Sequence, residues 1–199
     1  MINKKEIAPG IMIYSDVMDN HEEFIPTVEK FMNLNNPEIF WSDSYVYKNG
    51  ETIVDENRSS QTYFVEYDKE KSNAFFQENL LKSYVRNNII KFSDPIEIDY
   101  QNYYNVLTPE HRGYSILKYS QGSKFTDHID HNSFEPRTIS TVWYINDDYE
   151  GGEICFPRFN IEYKPKANEL LIFPSTYVYN HSVKPIKSGI RYSVVSWLN

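Results

Sequence analysis

The chain is poor in cysteine, in glycine, in basic residues and in long apolar runs, and each shortage excludes something. A single cysteine, Cys155, stands among 199 residues, so no internal disulfide is available and the expected setting is reducing and cytoplasmic. The opening Met1-Ile2-Asn3-Lys4-Lys5-Glu6 leads into no apolar stretch of signal-peptide length. No segment approaches the roughly 20 apolar residues of a membrane span, so no membrane partner is expected. Lys and Arg number 20 against 28 Asp and Glu, a net charge of -8, which argues against nucleic acid or an anionic membrane as a non-specific partner. Repeats, low-complexity tracts and linkers are also missing. With 40% hydrophobic and 16% aromatic residues, the chain can bury one full core, and a single domain over 1–199 is the expected organisation.

What is present changes character near residue 112. Phe24, Ile25, Val28, Phe31, Met32 and Leu34 recur at helical spacing within His21 to Leu34, with Asp19 or Asn20 available as a cap. A second helix is expected over about Lys69 to Val85, from the spacing of Phe75, Phe76, Leu80, Leu81 and Tyr84. Between them, Ser44–Tyr47 and Thr62–Tyr67 read as strands around a polar loop, 49–60, that is a candidate substrate lid. Beyond Arg112 come short strands rich in Val, Ile, Tyr and Trp: Tyr114–Tyr119, Ile139–Ile145, Glu153–Phe156, Glu169–Phe173, Asn180–Val183 and Ile190–Leu198. Gly151-Gly152 and Ser188-Gly189 supply positive-φ turn positions. The pattern predicts an α+β chain: helices, strands and a loop over about 1–111 support an antiparallel sandwich or barrel over about 112–199.

The chemistry-bearing residues fall in that second part. In an extended segment His128 and Asp130 point to one side while Ile129 faces away, so both can reach one ion. His181 is the best placed third ligand. Two histidines and one carboxylate suit a facial iron(II) site with positions left open for a bidentate 2-oxo acid and dioxygen. Arg191 shares a strand face with Ser193, Val195 and Trp197, and its guanidinium fork matches a carboxylate, with Ser193 as a further donor beside it. The Pro185 to Gly189 turn is expected to bring His181 and Arg191 together across a hairpin. Two other uses of these residues stay open at this point. A zinc hydrolase can use the same ligands, though it has no need of an inward Arg191; a non-catalytic jelly-roll binding module would use none of them.

The stretch Tyr119-Ser120-Gln121-Gly122-Ser123-Lys124-Phe125-Thr126-Asp127-His128-Ile129-Asp130 resembles the signature of prolyl 4-hydroxylase-like iron(II)/2-oxoglutarate dioxygenases. Arg137 to Ile145 looks like the next core strand of that family, Gly151-Gly152-Glu153 like its glycine turn, and His181 to Trp197 like its distal histidine, 2-oxoglutarate anchor and closing tryptophan. The resemblance implies a double-stranded β-helix, or jelly roll, braced by the N-terminal helices. It also implies a dioxygenase that hydroxylates an unactivated C–H bond, with a prolyl residue of a peptide or protein as the leading substrate and another side chain or a free amino acid as the alternative. Carried over, His128, Asp130 and His181 would bind Fe(II), and Arg191 would hold the distal carboxylate of 2-oxoglutarate. Tyr119, Tyr144 and Ser193 would complete the co-substrate pocket, and Arg137, Arg58 and Trp197 would stand near the substrate. Dioxygen is the second co-substrate and ascorbate the implied reductant. Two positions depart from family patterns: Arg191 stands where collagen-type enzymes carry lysine, and Ile154 where some relatives place threonine. Asp130 itself disfavours halogenation, which needs that carboxylate absent.

Overall fold

A computed structural model describes residues 3–34, 39–48, 51–67, 76–108, 110–133 and 136–199. The first strands, β1 (Asn3–Ala8) and β2 (Ile11–Ser15), form a hairpin. A 3-10 turn over His21–Glu23 leads into α1 (Phe24–Met32). Asn20 sits before that turn in the left-handed region with φ 53° and makes no side-chain cap, which corrects the expected capping role. Short strands β3 (Ser42–Asp43), β4 (Val46–Lys48), β5 (Glu51–Ile53) and β6 (Gln61–Val65) precede the long helix α2 (Phe76–Tyr104).

That helix runs 29 residues, roughly 43 Å, far past the expected end at Val85. Its buried residues Leu81, Val85, Ile89, Phe92, Ile96 and Tyr100 keep three- and four-residue spacing to the end. Pro95 lies inside it. The lost backbone bond there is outweighed by the apolar face packed on either side. Residues 69–75 of the expected helix and 49–50 of the expected loop lie outside the described residues.

The remaining strands are β7 (His111–Tyr119), β8 (Phe125–His128), β9 (Ile139–Tyr144), β10 (Glu150–Gly151), β11 (Ile154–Phe156), β12 (Ile161–Tyr163), β13 (Glu169–Pro174), β14 (His181–Val183), β15 (Ile186–Ser188) and β16 (Arg191–Leu198). An eight-stranded antiparallel sheet has the order β1-β2-β13-β9-β16-β7-β6-β3, and a four-stranded sheet the order β12-β11-β14-β8. These two sheets face each other as a jelly roll, and the helices cover the outer face of the larger one.

Strand alternation explains both cores. On β16, Val194 packs with Trp143, Phe24 and Phe92 under the helices, while Val195 packs with Val142, Leu117 and Tyr144 between the sheets. The larger sheet is therefore buried on both faces, and its central strand β9 is buried at all six positions. One expectation fails here. His181 and Arg191 are not hairpin partners, because β14 belongs to the smaller sheet and β16 to the larger. The intervening segment is itself a strand, β15, paired with β10. The two residues meet across the sandwich instead.

Candidate metal centre and anion pocket

Pairing of β14 with β8 sets His181 directly opposite His128, with ring centroids 4.3 Å apart. Asp130 follows two residues after β8 ends and turns into the same space, while Ile129 faces out. Its carboxylate lies 3.6 Å from Nε2 of His128 and 3.9 Å from Nε2 of His181. One candidate ligand atom from each of the three residues lies within 4.8 Å of the others.

The protons show what this arrangement wants. Nδ1 of His128 is 2.8 Å from the Thr126 carbonyl and Nδ1 of His181 is 3.1 Å from the Tyr179 carbonyl. A carbonyl can only accept, so in each ring Nδ1 carries the hydrogen and Nε2 offers a lone pair. Burial, assisted by the neighbouring His128, lowers the His181 pKa to about 4, so it is neutral at physiological pH. Burial pushes the Asp130 carboxyl upward, but the adjacent imidazoles of His181 and His128 and the hydrogen bond from Ser140 outweigh it and hold the group well below the usual carboxylate range. Lone pairs thus converge on one point, an arrangement that a cation stabilises and that repels itself without one.

Ser140 donates to Asp130 Oδ2 at 2.6 Å and lies 2.7 Å from the Ser175 hydroxyl. Since Ser140 spends its one hydrogen on the carboxylate, Ser175 must donate to Ser140. Phe125 stacks on the other ring, 3.5 Å from His128 by centroids. Alternation along β9 puts Ser140 on the face of Val142 and Tyr144, and Phe125 stands within the signature stretch, whereas Ser175 and the two carbonyls were missed. Carbonyl acceptors carry no side-chain signal.

On β16, Arg191 pairs with Tyr119 of β7, and Ser193 with Tyr144 of β9. The Arg191 guanidinium consequently lies between two rings, 4.8 Å from the Tyr119 centroid and 5.0 Å from that of Tyr144. It is only 2% exposed, and its Nη1 donates to the Gly152 carbonyl at 3.1 Å. Gly152 has φ 68°, and a Cβ there would fall 2.6 Å from Ile186 Cδ1 and 3.5 Å from Arg191 Cδ. A side chain at this turn would therefore push on Ile186, which packs beside the arginine pocket.

Nε of Arg191, the Tyr144 hydroxyl and the Ser193 hydroxyl are all buried without hydrogen-bond partners. Burial raises the Tyr144 pKa, against the pull of Arg191, so the phenol keeps its proton and can donate. A buried cation surrounded by unused donors fits a carboxylate. Arg191, Tyr119 and Tyr144 line the same cavity of about 660 Å³ as the His128, Asp130 and His181 group. Ser193, 0% exposed, lies behind that lining.

The mouth holds the three remaining expected residues. Arg137 lies over the Trp197 ring at 3.8 Å, and Arg58 lies over Phe125 at 5.0 Å while donating to the Tyr45 carbonyl. The 57–59 segment is tied to the edge of β8 through Thr126 N–H to the Asn57 carbonyl and Ser59 N–H to the Lys124 carbonyl. The described part of the expected lid, 51–60, is thus strand β5, paired with β4 just ahead of the lid, followed by a strap laid along the metal-side strand.

Residues 114–199 match the sequence profile of the 2OG-Fe(II) oxygenase superfamily. A PKHD-type hydroxylase from Prochlorococcus marinus (strain NATL1A) is 38% identical over 91 residues, which are 42% of this chain and 38% of that protein. Human prolyl 3-hydroxylase 2 is 35% identical over 66 residues, 31% of this chain and 9% of that protein. The chain therefore spans less than half the length of these curated relatives. A prolyl hydroxylase from Trichoplax adhaerens, solved with a hypoxia inducible factor peptide, superposes with TM-score 0.71 at 18% identity, covering 95% of this chain and 83% of that one. A prolyl-4-hydroxylase from Pseudomonas putida gives 0.65 at 16% identity, covering 96% and 92%. The part of the chain that carries both the metal-type cluster and the arginine pocket is thus the part, residues 114–199, that matches the 2OG-Fe(II) oxygenase superfamily profile, and the fold around it is the one that the prolyl hydroxylase structures share.

Proposed function

We propose that the protein is an Fe(II)- and 2-oxoglutarate-dependent dioxygenase that hydroxylates a prolyl residue in a peptide or protein. The observation that carries the reading is the meeting, in one cavity, of three convergent lone-pair donors with a buried arginine surrounded by unpartnered donors. In this proposal His128, Asp130 and His181 hold iron(II), and Arg191, Tyr119, Tyr144 and Ser193 hold the distal carboxylate of 2-oxoglutarate. Iron bound there would supply dioxygen activation coupled to oxidation of 2-oxoglutarate to succinate and carbon dioxide, with ascorbate as the reductant. The chain acts as one domain over 1–199, the N-terminal half bracing the catalytic sheets.

The protein's own task is placement. Backbone carbonyls of Thr126 and Tyr179 fix the imidazole rings, and the Ser175–Ser140 relay fixes the carboxylate. Leu117, Val142, Ile154 and Val183 wall the cavity with apolar surface that keeps water from the reacting carbon. Arg137, Trp197 and Arg58 at the mouth take the substrate chain. A peptide occupant is supported by the peptide in the Trichoplax adhaerens enzyme, and the net charge of -8 disfavours nucleic acid. Cys155, free and partly exposed, suits a reducing cytoplasm.

The test is mass spectrometry of proline-rich peptides and host proteins incubated with enzyme, iron(II), 2-oxoglutarate and ascorbate. A gain of one oxygen on proline, absent when 2-oxoglutarate is omitted, is expected. The gain on another side chain overturns the prolyl assignment. No gain on any peptide or host protein, with no 2-oxoglutarate-dependent succinate release, overturns the oxygenase reading.

A further inference from the structure

Beside Arg191, behind the residues that line the cavity, stands one more donor than the resemblance assigns. Tyr149, in the loop between β9 and β10, is 6% exposed and its hydroxyl is buried without a partner. It packs in the same cluster as Tyr119, Tyr144 and Ile186. Its position relative to Arg191 is set by the glycine turn, because a Cβ built on Gly152 would lie 3.0 Å from Tyr149 Cε2 and 3.5 Å from Arg191 Cδ. Ring edge and arginine therefore flank the same point.

Lys164 holds this arrangement from behind. Its ammonium lies 3.4 Å from the Tyr149 ring centroid and donates to the carbonyls of Tyr149 at 2.9 Å and Gly151 at 2.8 Å. One lysine thus fixes the ring and the turn whose next carbonyl, that of Gly152, receives the Arg191 bond. A tyrosine kept only for packing would be replaceable by phenylalanine, and an unpartnered buried hydroxyl costs stability until something accepts from it.

We propose that Tyr149 is an additional hydrogen-bond donor to the distal carboxylate of 2-oxoglutarate, with Lys164 as its positioning residue. The inference rests on the reading of Arg191 as the carboxylate anchor and goes beyond it by assigning a further specificity-determining phenol. A carboxylate with two oxygens and several lone pairs accommodates a further donor besides the guanidinium fork.

The experiment measures binding directly, by anaerobic titration of the iron(II)-loaded protein with 2-oxoglutarate, followed through its visible charge-transfer band and by isothermal calorimetry. Tyr149→Phe is expected to weaken 2-oxoglutarate binding about tenfold, the loss of one hydrogen bond to a charged group, with iron affinity unchanged and the Tm of the apoprotein equal or higher. A parallel titration uses 2-oxopentanoate, which keeps the metal-chelating end and has a methyl in place of the distal carboxylate. Its weaker binding should be the same in wild type and Tyr149→Phe, which a merely structural role for the phenol would not produce. Lys164→Met should reproduce part of the loss for 2-oxoglutarate alone. Unchanged 2-oxoglutarate affinity in Tyr149→Phe overturns the inference when Arg191→Ala still weakens binding. If Arg191→Ala also changes nothing, the underlying anchor assignment falls first. Equal losses for both 2-oxo acids make Tyr149 a packing residue and overturn the inference as well.

Discussion

The two faces of the larger sheet treat buried polar groups in opposite ways. Under the helices, charged heads have charged or carbonyl partners: Lys82 bridges Glu66 and Glu78 at 3.0 Å each, Arg86 donates to the Glu66 carbonyl, and Glu97 faces His111 at 3.5 Å. Between the sheets, Arg191 is held by one carbonyl and two aromatic faces, with its Nε and the hydroxyls of Ser193, Tyr144 and Tyr149 left unpartnered. An unsatisfied buried polar group costs about 1–3 kcal/mol, so such a cluster persists for a purpose outside folding. Tyr63 OH, Glu66 Oε2 and Glu97 Oε1 also lack hydrogen bonds on the helix side, but both carboxylates there face a basic side chain. What marks the binding face is therefore Arg191, a buried cation with no anion among the described residues.

The largest expected effect sits at the metal-type cluster. His181→Ala or Asp130→Ala should reduce iron-dependent turnover to background while leaving Tm near that of the apoprotein, since neither side chain supports the helix-side core. Trp143→Ala on the opposite face of the same sheet should instead cost about 3–5 kcal/mol of stability, because that ring packs on Phe24 and Phe92. Succinate release and chemical denaturation on the same variants check both. Retained turnover in His181→Ala would break the comparison at its centre.

Arg191 tests the unpaired side more finely. Arg191→Ala should weaken 2-oxoglutarate binding by about 2–5 kcal/mol while iron binding survives, and Arg191→Lys should fall between, keeping the charge and losing the planar fork. Arg191→Met should leave the apoprotein equally or more stable, since it removes a buried charge that folding does not pair. Lys82→Met under the helices should be destabilising, because it strands Glu66 and Glu78. Coincident 2-oxoglutarate dependence in wild type, Ala and Lys enzymes would remove Arg191 as the anchor.

Acid separates the faces by sign. The His181 pKa falls from 6.5 to about 4 on folding, so the unfolded chain takes up this proton first. Its contribution is complete above pH 6.5 and is lost as pH falls toward 4, roughly 3 kcal/mol in all. Burial moves Glu97 the other way, to a raised pKa, against the bond from His111; its contribution is complete below 4.5 and declines as pH rises. In chelator-treated protein, His181→Gln should therefore flatten the stability curve between pH 6.5 and 4, whereas Glu97→Gln should flatten its decline above 4.5. Identical curves for wild type and His181→Gln would mean that His181 is not held neutral.

Much of this was readable one residue at a time, and what was not depends on strands far apart in sequence. Alternation along β16 places Arg191, Val195 and Trp197 inward, because a sheet buried on both faces still keeps a two-residue period. The His128-x-Asp130 spacing and the glycine turn were equally legible. The meeting of His181 with His128 required the β8–β14 pairing, and the short β15 hid among the turn residues Pro185 to Gly189. The spacing of Phe75, Phe76, Leu80, Leu81 and Tyr84 carried the expected helix only to Val85, and the Ile89, Phe92, Ile96 and Tyr100 face that extends it past Asn87, Asn88 and Pro95 only counts once there is a sheet to cover. The β1 strand is mostly exposed, so burial left no trace in its sequence.

The smallest effect should fall on the residue that belongs to both logics. Ser140 is a fully paired hydroxyl, as on the helix side, but its partners are Asp130 and Ser175 within the site. Removing it leaves the carboxylate in place with one fewer bond to hold its orientation and basicity, so Ser140→Ala should weaken iron(II) affinity by about 10–100-fold, in the range of other residues that support metal ligands. Ser175→Ala, one bond further out, should cost less, because Ser140 can still donate to Asp130. Competition with a metallochromic chelator under anaerobic conditions gives both affinities, and 2-oxoglutarate binding at saturating iron should be unchanged. If Ser175→Ala weakens iron binding more than Ser140→Ala, the hydrogen-bond direction assigned here is reversed, and Asp130 is held by something other than the serine relay.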